Sequence, residues 1–351
     1  MEKHGPPIYS LLGPIQNAMA RDGLKGWLIY DVRGRNPVAR RLFGFEPELP
    51  EHRFFYWIPT EGLPLAIAHE SDGPALPELP GECVFYRKAI ELRNRLERHL
   101  PRGGKILVES GSFAQVAEIA IVDEATLSLI RSSSIETLSS IQYVNRVVAP
   151  LLSEEREFVR GIAPYFASVG EAFVRSVVSG ELKNWGDTYG WMEEGFRQNG
   201  FRLARASGIA WGEAFSAQQA RHRDGSFPDA GAQARFDVWI EAYPLASMLS
   251  VPWMLLVSRG RLDPKVEALY RALEEACEEW QEIVRQRLRY GEVLGAEVAR
   301  ILEERLLKRK LEPLWRCFAW PIGPFPRSSY ACTFDAHAFT DSRPLVDGMV
   351  W

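Results

Sequence analysis

The sequence has few cysteines and none of the spacings that mark a metal or redox motif. Its four cysteines (Cys83, Cys277, Cys317 and Cys332) form no CxxC pair and are too sparse for a disulfide scaffold. This pattern predicts reduced thiols in a cytoplasmic protein. The HExxH, GxSxG, P-loop and GxGxxG motifs are also missing, which argues against the enzyme classes that depend on them.

Long apolar runs and an excess of one charge are missing as well. No apolar stretch approaches the ~18 residues of a membrane span, and the first residues carry an acid and prolines where a signal peptide would be apolar. The net charge is only −4 over 351 residues, with 46% apolar and 25% charged residues. We therefore expect no nucleic-acid partner, no membrane partner and a length suited to two domains.

Residues 1–150 alternate strand and helix signals. The apolar segment GWLIYDV (26–32) predicts a strand. The next segment, NPVARRLFG, predicts a helix with Asn36 as N-cap, Pro37 in the first position and Gly44 at the end. The segments at 53–59 and 63–70 predict a hairpin. Further strands are predicted for CVFYR, KILVES and IETLSS, and further helices for the basic segment through Arg98 and for DEATLSLIRS. This alternation predicts an α/β domain.

Residues 151–351 show long helical patterns instead. Ser153 is expected to cap a helix that reaches about Val178, and Asp187 to begin a second helix that Gly200 ends. Asp263-Pro264 is expected to open a helix of about 25 residues, and GEVLGAEVARILEERLLKR predicts one more. The segments FDVWIEAY and 248–257 predict paired strands, and YACTF a short one. The second domain is therefore expected to be α+β, with long helices over a mainly antiparallel sheet.

Candidate site residues are few. Asp237 lies in FDVWIEAYPLASMLSVPW (236–253), an otherwise apolar hairpin whose only other acid is Glu241. Such a carboxylate is either paired with backbone or arginine, or functional. Arg33 and Arg35 follow a strand and are read either as a solvated turn or as an anion site. His222, in the polar loop RHRDGSF, is either exposed and idle or catalytic.

Taken together, these segments resemble the creatinase/aminopeptidase P family. GWLIYDVRGRNPVARRLFG and RFFYWIPTEGLPLAIAH are similar to the N-terminal domain of bacterial Xaa-Pro peptidase homologues. ARFDVWIEAY is similar to the strand that carries the family's first metal-binding aspartate, and LVDGMVW to the strand that leads to its first glutamate ligand. The resemblance implies an N-terminal α/β domain (1–150) and a pita-bread domain (151–351) that is incomplete at its C-terminal end.

The same resemblance implies that the metal site is lost. Asp237 matches the first metal-binding aspartate, but Ser250 stands in place of the second and Trp320 in place of the metal-binding histidine. Arg327 stands in place of a histidine that assists the substrate, and the chain stops at Trp351, before both glutamate ligands. One of five ligands is matched, whereas catalytic metal sites use at least three protein ligands. We therefore expect neither a metal nor another cofactor.

Three functions follow as hypotheses. The first is a metal-independent enzyme for a small charged amino-acid-like or guanidino/amide substrate, with Asp237, His222 and His337 as catalytic candidates. Its expected substrate-binding residues are Arg327, Asp335, Trp239, Trp253, Trp320, Ser250 and Arg33. The second is a non-catalytic pita-bread protein that binds peptides or serves as a scaffold, and the third is an Xaa-Pro-type metallopeptidase. The family resemblance also implies a homodimer in which the segment Asp31–Arg41 lies near the partner's pocket.

Overall fold

The structure is a computed structural model that describes residues 6–45, 49–111, 120–132, 134–203, 208–211, 227, 234–244, 251–259, 264–291, 293–311 and 344–345. Contacts between residues divide the chain into two compact units, with the boundary after Pro150. Unit 1 also takes in a small ladder formed by β11 (Val293–Leu294) and β12 (Pro344–Leu345). Among the described helices, none is both long and apolar enough to cross a membrane.

Unit 1 is an α/β unit built on one mixed sheet of six strands in the order β4-β3-β2-β1-β5-β6. Strand β2 is antiparallel to both of its neighbours, and the remaining pairs are parallel. Its elements are α1 (Ile8–Arg21), β1 (Gly26–Asp31), α2 (Pro37–Phe43), β2 (Phe54–Pro59), β3 (Leu65–His69), β4 (Glu82–Tyr86), α3 (Ala89–His99), β5 (Gly104–Val108), α4 (Glu124–Arg131), β6 (Ile135–Ser139) and α5 (Ile141–Tyr143).

Apolar side chains cover both faces of this sheet. On one face the strands pack against helices α3 and α4, in a cluster that includes Leu28, Phe55, Ile67, Ile106, Leu92, Leu96, Leu127 and Ile130. On the other, the ring of Phe43 in α2 lies 4.8 Å from that of Tyr56 and 5.8 Å from that of Phe54. A two-sided apolar sheet of this kind is the α/β layer architecture that the alternating sequence predicts.

Unit 2 packs two helices on an antiparallel sheet and adds a helix pair. Strand β9 is central and pairs with β10 on one side and with β7 and β8 on the other, always antiparallel. Its core joins Phe166, Phe173 and Val177 of α6 to Met192 and Phe196 of α7. Its elements are α6 (Ser153–Ser179), α7 (Trp185–Gln198), β7 (Phe201–Leu203), β8 (Gly208–Trp211), β9 (Ala234–Pro244), β10 (Val251–Arg259), α8 (Pro264–Leu288) and α9 (Gly295–Lys308).

Several local predictions are confirmed with their physical cause. The side chain of Asn36 accepts a hydrogen bond from Val38 N–H at 2.8 Å, Pro37 is the first residue of α2, and Gly44 ends the helix at φ 66°. That backbone conformation favours glycine, as a C-terminal cap requires. The two predicted hairpins, β2–β3 and β9–β10, are both present and antiparallel.

Two helix caps were predicted wrongly. Leu152, not Ser153, is the N-cap of α6, and the Glu155 carboxylate accepts the Leu152 N–H at 2.8 Å. Helix α7 begins at Trp185, not at Asp187, because the Asn184 side chain accepts the Asp187 N–H at 2.8 Å. Both differences amount to one or two residues. The predicted strand YACTF lies outside the described residues.

Candidate functional site

Asp237 lies in the middle of the antiparallel sheet of unit 2. Strand β9 carries it, and the register places Ala210 of β8 on one side and Leu256 of β10 on the other. Alanine and leucine offer no donor or ligand atom in their side chains. Val251, the first residue of β10, pairs with Ala242, five residues along β9 from Asp237. The start of β10 is therefore about 16 Å from Asp237 along the strand direction.

The strands around Asp237 supply few possible metal ligands. Across β7, β8, β9 and β10 the sequence contains two carboxylates, Asp237 and Glu241, both on β9. They are four residues apart, which is about 13 Å along an extended strand. A pair of close divalent cations requires several bridging carboxylates that converge on them. The donor set of these four strands therefore does not fit a dinuclear metal centre.

The other site residues predicted in unit 2 fall in two groups. Trp239 of β9 pairs with Met254, and Trp253 of β10 pairs with Ile240. These pairs are adjacent in the ladder, so the two tryptophans lie on opposite faces of the hairpin, and Trp239 shares the face of Asp237. The remaining six lie outside the described residues: His222, Ser250, Trp320, Arg327, Asp335 and His337.

Arg33 lies in unit 1, in the turn between β1 and α2. Its side chain is exposed and its backbone has φ 57°, while its N–H donates to the carbonyl of Pro50 at 2.5 Å. Arg35, two residues later, is exposed as well. Both guanidinium groups thus face solvent in this chain.

A buried carboxylate in unit 1 is missed by the sequence reading. Glu109 follows β5 and is fully buried. Its Oε1 accepts a hydrogen bond from Trp27 Nε1 at 2.5 Å, and its Oε2 accepts from the Tyr30 N–H and from Asn36 Nδ2, each at 3.1 Å. Burial raises the pKa of Glu109 to about 7 and outweighs these hydrogen bonds, which lower the pKa. Such a shift places its ionisation near neutral pH.

Asp31 forms the second half of this network. It is fully buried at the end of β1, and its Oδ1 accepts the Asn36 N–H at 3.0 Å. Its Oδ2 has no hydrogen-bond partner among the described residues. Burial raises its pKa to about 6, although backbone N–H donors of the following turn act in the opposite direction. Asn36 thus links two buried carboxyl groups of raised pKa. We call Trp27, Tyr30, Asp31, Asn36 and Glu109 the buried carboxyl network.

Comparisons with known proteins identify the fold. No protein-family model and no curated protein matches the sequence. Among solved structures, dipeptidase PepE from Mycobacterium ulcerans matches with a TM-score of 0.67 and 15% identity, over 98% of this chain and 86% of that one. An X-Pro aminopeptidase from Thermotoga maritima matches with a TM-score of 0.63 and 13% identity, over 96% and 87%.

The same fold occurs outside the peptidases. The N-terminal domain of FACT complex subunit SPT16 from Cicer arietinum matches with a TM-score of 0.63 and 12% identity, over 98% of this chain and 84% of that one. These identities show the fold and leave the activity open. At the level of the fold, the resemblance to the creatinase/aminopeptidase P family is confirmed: the chain has the architecture of the prolidases and X-Pro aminopeptidases, an N-terminal α/β unit followed by a pita-bread unit.

Proposed function

We propose that the protein is a metal-independent enzyme that acts on a small charged amino-acid-like, guanidino or amide substrate in its pita-bread unit. The observation that carries this proposal is the register of β9, in which Asp237 stands between Ala210 and Leu256. A single carboxylate in this setting pairs with an organic cation far better than it retains a divalent metal, which needs at least three protein ligands.

The residues proposed for catalysis divide between binding and proton transfer. Asp237 binds the ammonium or guanidinium group of the substrate, and His222 and His337 transfer protons. Arg327 binds a substrate carboxylate, and Asp335 adds a hydrogen-bonding group. Trp239, on the same face of β9 as Asp237, and Trp320 form apolar walls, as small-ligand pockets commonly require.

Two alternatives rest on specific likenesses. The match to a domain of the FACT complex supports a binding or scaffold role, because that structure bears the name of a complex subunit. The matches to prolidases and X-Pro aminopeptidases support an Xaa-Pro metallopeptidase. The four described strands contain two carboxylates about 13 Å apart, whereas a dinuclear metal centre needs several that converge, and this weakens the second alternative.

The assembly is also a proposal. We infer that the protein is a cytoplasmic homodimer in which the segment Asp31–Arg41 approaches the partner's pocket, with Arg33 and Arg35 as exposed cations. Sedimentation analysis that finds only monomer at micromolar concentrations would contradict this assembly.

Probe ligands test the proposed function directly. Arginine, guanidinoacetate and the dipeptide Ala-Pro are added to the full chain in chelator, and binding is followed by calorimetry and turnover by NMR. We expect a guanidino probe to bind without metal, and Asp237→Ala to weaken it by at least about tenfold, since a charge-assisted pair is lost. Glu241→Ala, on the same strand, is the matched control and should leave binding unchanged.

The other outcomes contradict the proposal in different ways. Hydrolysis of Ala-Pro that requires added Mn²⁺ or Co²⁺ and disappears in Asp237→Ala would make the protein a metallopeptidase. Failure of all three probes to bind would favour the scaffold role.

A further inference from the structure

Three side chains of unit 1 that could ligate a metal ion lie close together at one end of the β2–β3 hairpin. Glu51, His52 and Asp72 each offer a ligand atom, and these atoms all lie within 4.8 Å of one another. His52 Nδ1 is 3.1 Å from Asp72 Oδ1, and the His52 N–H donates to Asp72 Oδ2 at 3.0 Å. Asp72 is buried at 3% exposure, whereas Glu51 and His52 are exposed. We call these three residues the hairpin cluster.

The strand register explains why residues twenty positions apart come together. Phe55 pairs with Ile67 in the antiparallel ladder. Two residues farther along, the same register places Arg53 opposite His69. His52 precedes Arg53, and a turn after His69 brings Asp72 back, with the Asp72 N–H donating to the His69 carbonyl at 3.0 Å. Backbone hydrogen bonds therefore hold His52 and Asp72 next to each other.

A second histidine supports the ring of His52. The imidazoles of His52 and His69 are stacked, with centroids 4.0 Å apart and planes at 21°. His69 is itself held, because its Nε2 lies 3.3 Å from the Arg87 carbonyl and its Nδ1 lies 2.7 Å from Ser71 Oγ. The stacked ring of His69 therefore restricts the orientation of the His52 ring.

We propose that the hairpin cluster is a site for a divalent transition metal, with Zn²⁺ as the preferred ion. The ligands are His52 Nδ1, a carboxylate oxygen of Asp72 and a carboxylate oxygen of Glu51. Bonds of 2.0–2.1 Å at tetrahedral angles separate two ligand atoms by about 3.3 Å, close to the 3.1 Å between His52 Nδ1 and Asp72 Oδ1. Solvent occupies the fourth position, because Glu51 and His52 face outward.

The donor set selects the type of ion. An imidazole nitrogen with two carboxylates suits zinc and its neighbours among the transition metals, whereas Mg²⁺ and Ca²⁺ prefer oxygen ligands alone. Binding places the metal between His52 Nδ1 and Asp72 and releases any proton that the imidazole or a carboxylate carried there. Affinity should therefore fall as pH decreases, since protons compete for the same atoms.

The nearby cations do not oppose this site. Arg87 pairs with Glu70 at Nη2–Oε1 2.8 Å, and Arg53 lies 3.8 Å from Asp123. Each positive charge thus has its own carboxylate. Glu51 and Asp72 together supply two negative charges, which match the charge of the ion.

Calorimetry on the full chain tests the site. Chelator-treated protein is titrated with ZnCl₂, and one Zn²⁺ per chain is expected. His52→Ala should abolish this event and Glu51→Gln should weaken it, while His99→Ala, which removes an imidazole from α3, should leave it unchanged. His69→Ala should weaken binding, because the ring that restricts the orientation of His52 is lost. Circular dichroism of each variant confirms that it is folded.

The outcomes separate this inference from the proposed function. Zinc binding that survives His52→Ala and Glu51→Gln, or no zinc binding at all, overturns the hairpin cluster and leaves the proposed function standing. Zinc binding that Asp237→Ala abolishes would overturn the proposed function and the hairpin cluster together. Retention of one Zn²⁺ in Asp237→Ala and its loss in His52→Ala supports the inference.

Discussion

The indole Nε1–H of Trp27 donates a 2.5 Å hydrogen bond to Oε1 of Glu109, across 82 positions of sequence. Both side chains are fully buried, so the bond joins strand β1 to the end of its parallel neighbour β5 inside the core of unit 1. Glu109 receives further hydrogen bonds from Tyr30 and Asn36. Each of these three donors needs a carboxyl oxygen as its acceptor, whereas the hydroxyl of Ser140, with Oγ 3.4 Å from Oε1, can also accept the proton of the neutral carboxyl group.

Glu109→Gln is therefore expected to destabilise the protein although the side chain keeps its shape. The new amide NH₂ must face either Trp27 Nε1 or the pair formed by the Tyr30 N–H and Asn36 Nδ2, all of which are donors. At least one buried donor then loses its acceptor, which costs about 1–3 kcal/mol. Denaturant unfolding of the full chain at pH 5, where folded Glu109 holds its proton, measures the change in the free energy of unfolding.

The matched control is Glu136→Gln. Glu136 is an exposed glutamate on the adjacent strand β6, with Lys105 Nζ 3.9 Å away. A surface pair of this kind contributes about 0–1 kcal/mol, so its loss should be small. If the two substitutions lowered the free energy of unfolding equally, the buried carboxyl network would stabilise the protein no more than a surface glutamate does.

Stability should fall as pH rises through the ionisation of Glu109. Its folded pKa is raised from 4.5 to about 7, so between these values the folded state holds a proton that the unfolded state has released. The free energy of unfolding then decreases with pH across this window, by about 3 kcal/mol in total, and levels off above it. Asp31, raised from 3.8 to about 6, adds a loss of the same sign at lower pH.

Urea unfolding of the wild type and of Glu109→Gln between pH 4 and pH 8 measures this dependence. The variant should show a flatter profile between about pH 4.5 and pH 7, because the group that titrates there has been removed. A profile of Glu109→Gln that runs parallel to the wild type would mean that another group causes the dependence.

Three substitutions of Asn36 should separate its two roles. Its Oδ1 caps α2 through Val38 N–H, while its Nδ2 donates to the Tyr30 carbonyl at 2.7 Å and to Glu109. Asn36→Ser keeps the cap and loses the two donated bonds, whereas Asn36→Ala loses both and should cost about 1 kcal/mol more. Asn36→Asp keeps the cap but places a second carboxylate against Glu109, so it should be the least stable at pH 8. Thermal unfolding ranks the three variants, and an equal loss for serine and alanine would contradict a capping role.

Local signals in the sequence predict much of the fold. Asn36, Pro37 and Gly44 predict the bounds of α2 because each residue has a conformational preference that acts within one turn. The hairpins of both units follow from apolar runs separated by turn residues. Leu269 shows the limit of this reading, because it is an apolar residue of α8 and is nevertheless 41% exposed.

The buried carboxyl network and the hairpin cluster could not be predicted in this way. Glu109 ends an apolar strand, where an acid is ordinarily exposed, and only the parallel pairing of β1 with β5 brings Trp27 to it. His52 and Asp72 likewise meet through the register of β2 and β3. Asp237 stands out in the sequence as an acid in an apolar hairpin and through the family resemblance, but its neighbours Ala210 and Leu256 follow only from the pairing of three strands.

The number of metal ions that the chain binds through Asp237 distinguishes a metal-free pocket from a metallopeptidase centre. The His52→Ala chain, which lacks the hairpin cluster, is titrated with MnCl₂ and CoCl₂ by calorimetry, and its metal content after dialysis is measured by elemental analysis. We predict no stoichiometric binding, and the same result when Asp237→Ala is added, because the strands around Asp237 do not supply the carboxylates that two cations need. Binding of two ions per chain that Asp237→Ala abolishes would contradict the account and identify a metallopeptidase centre.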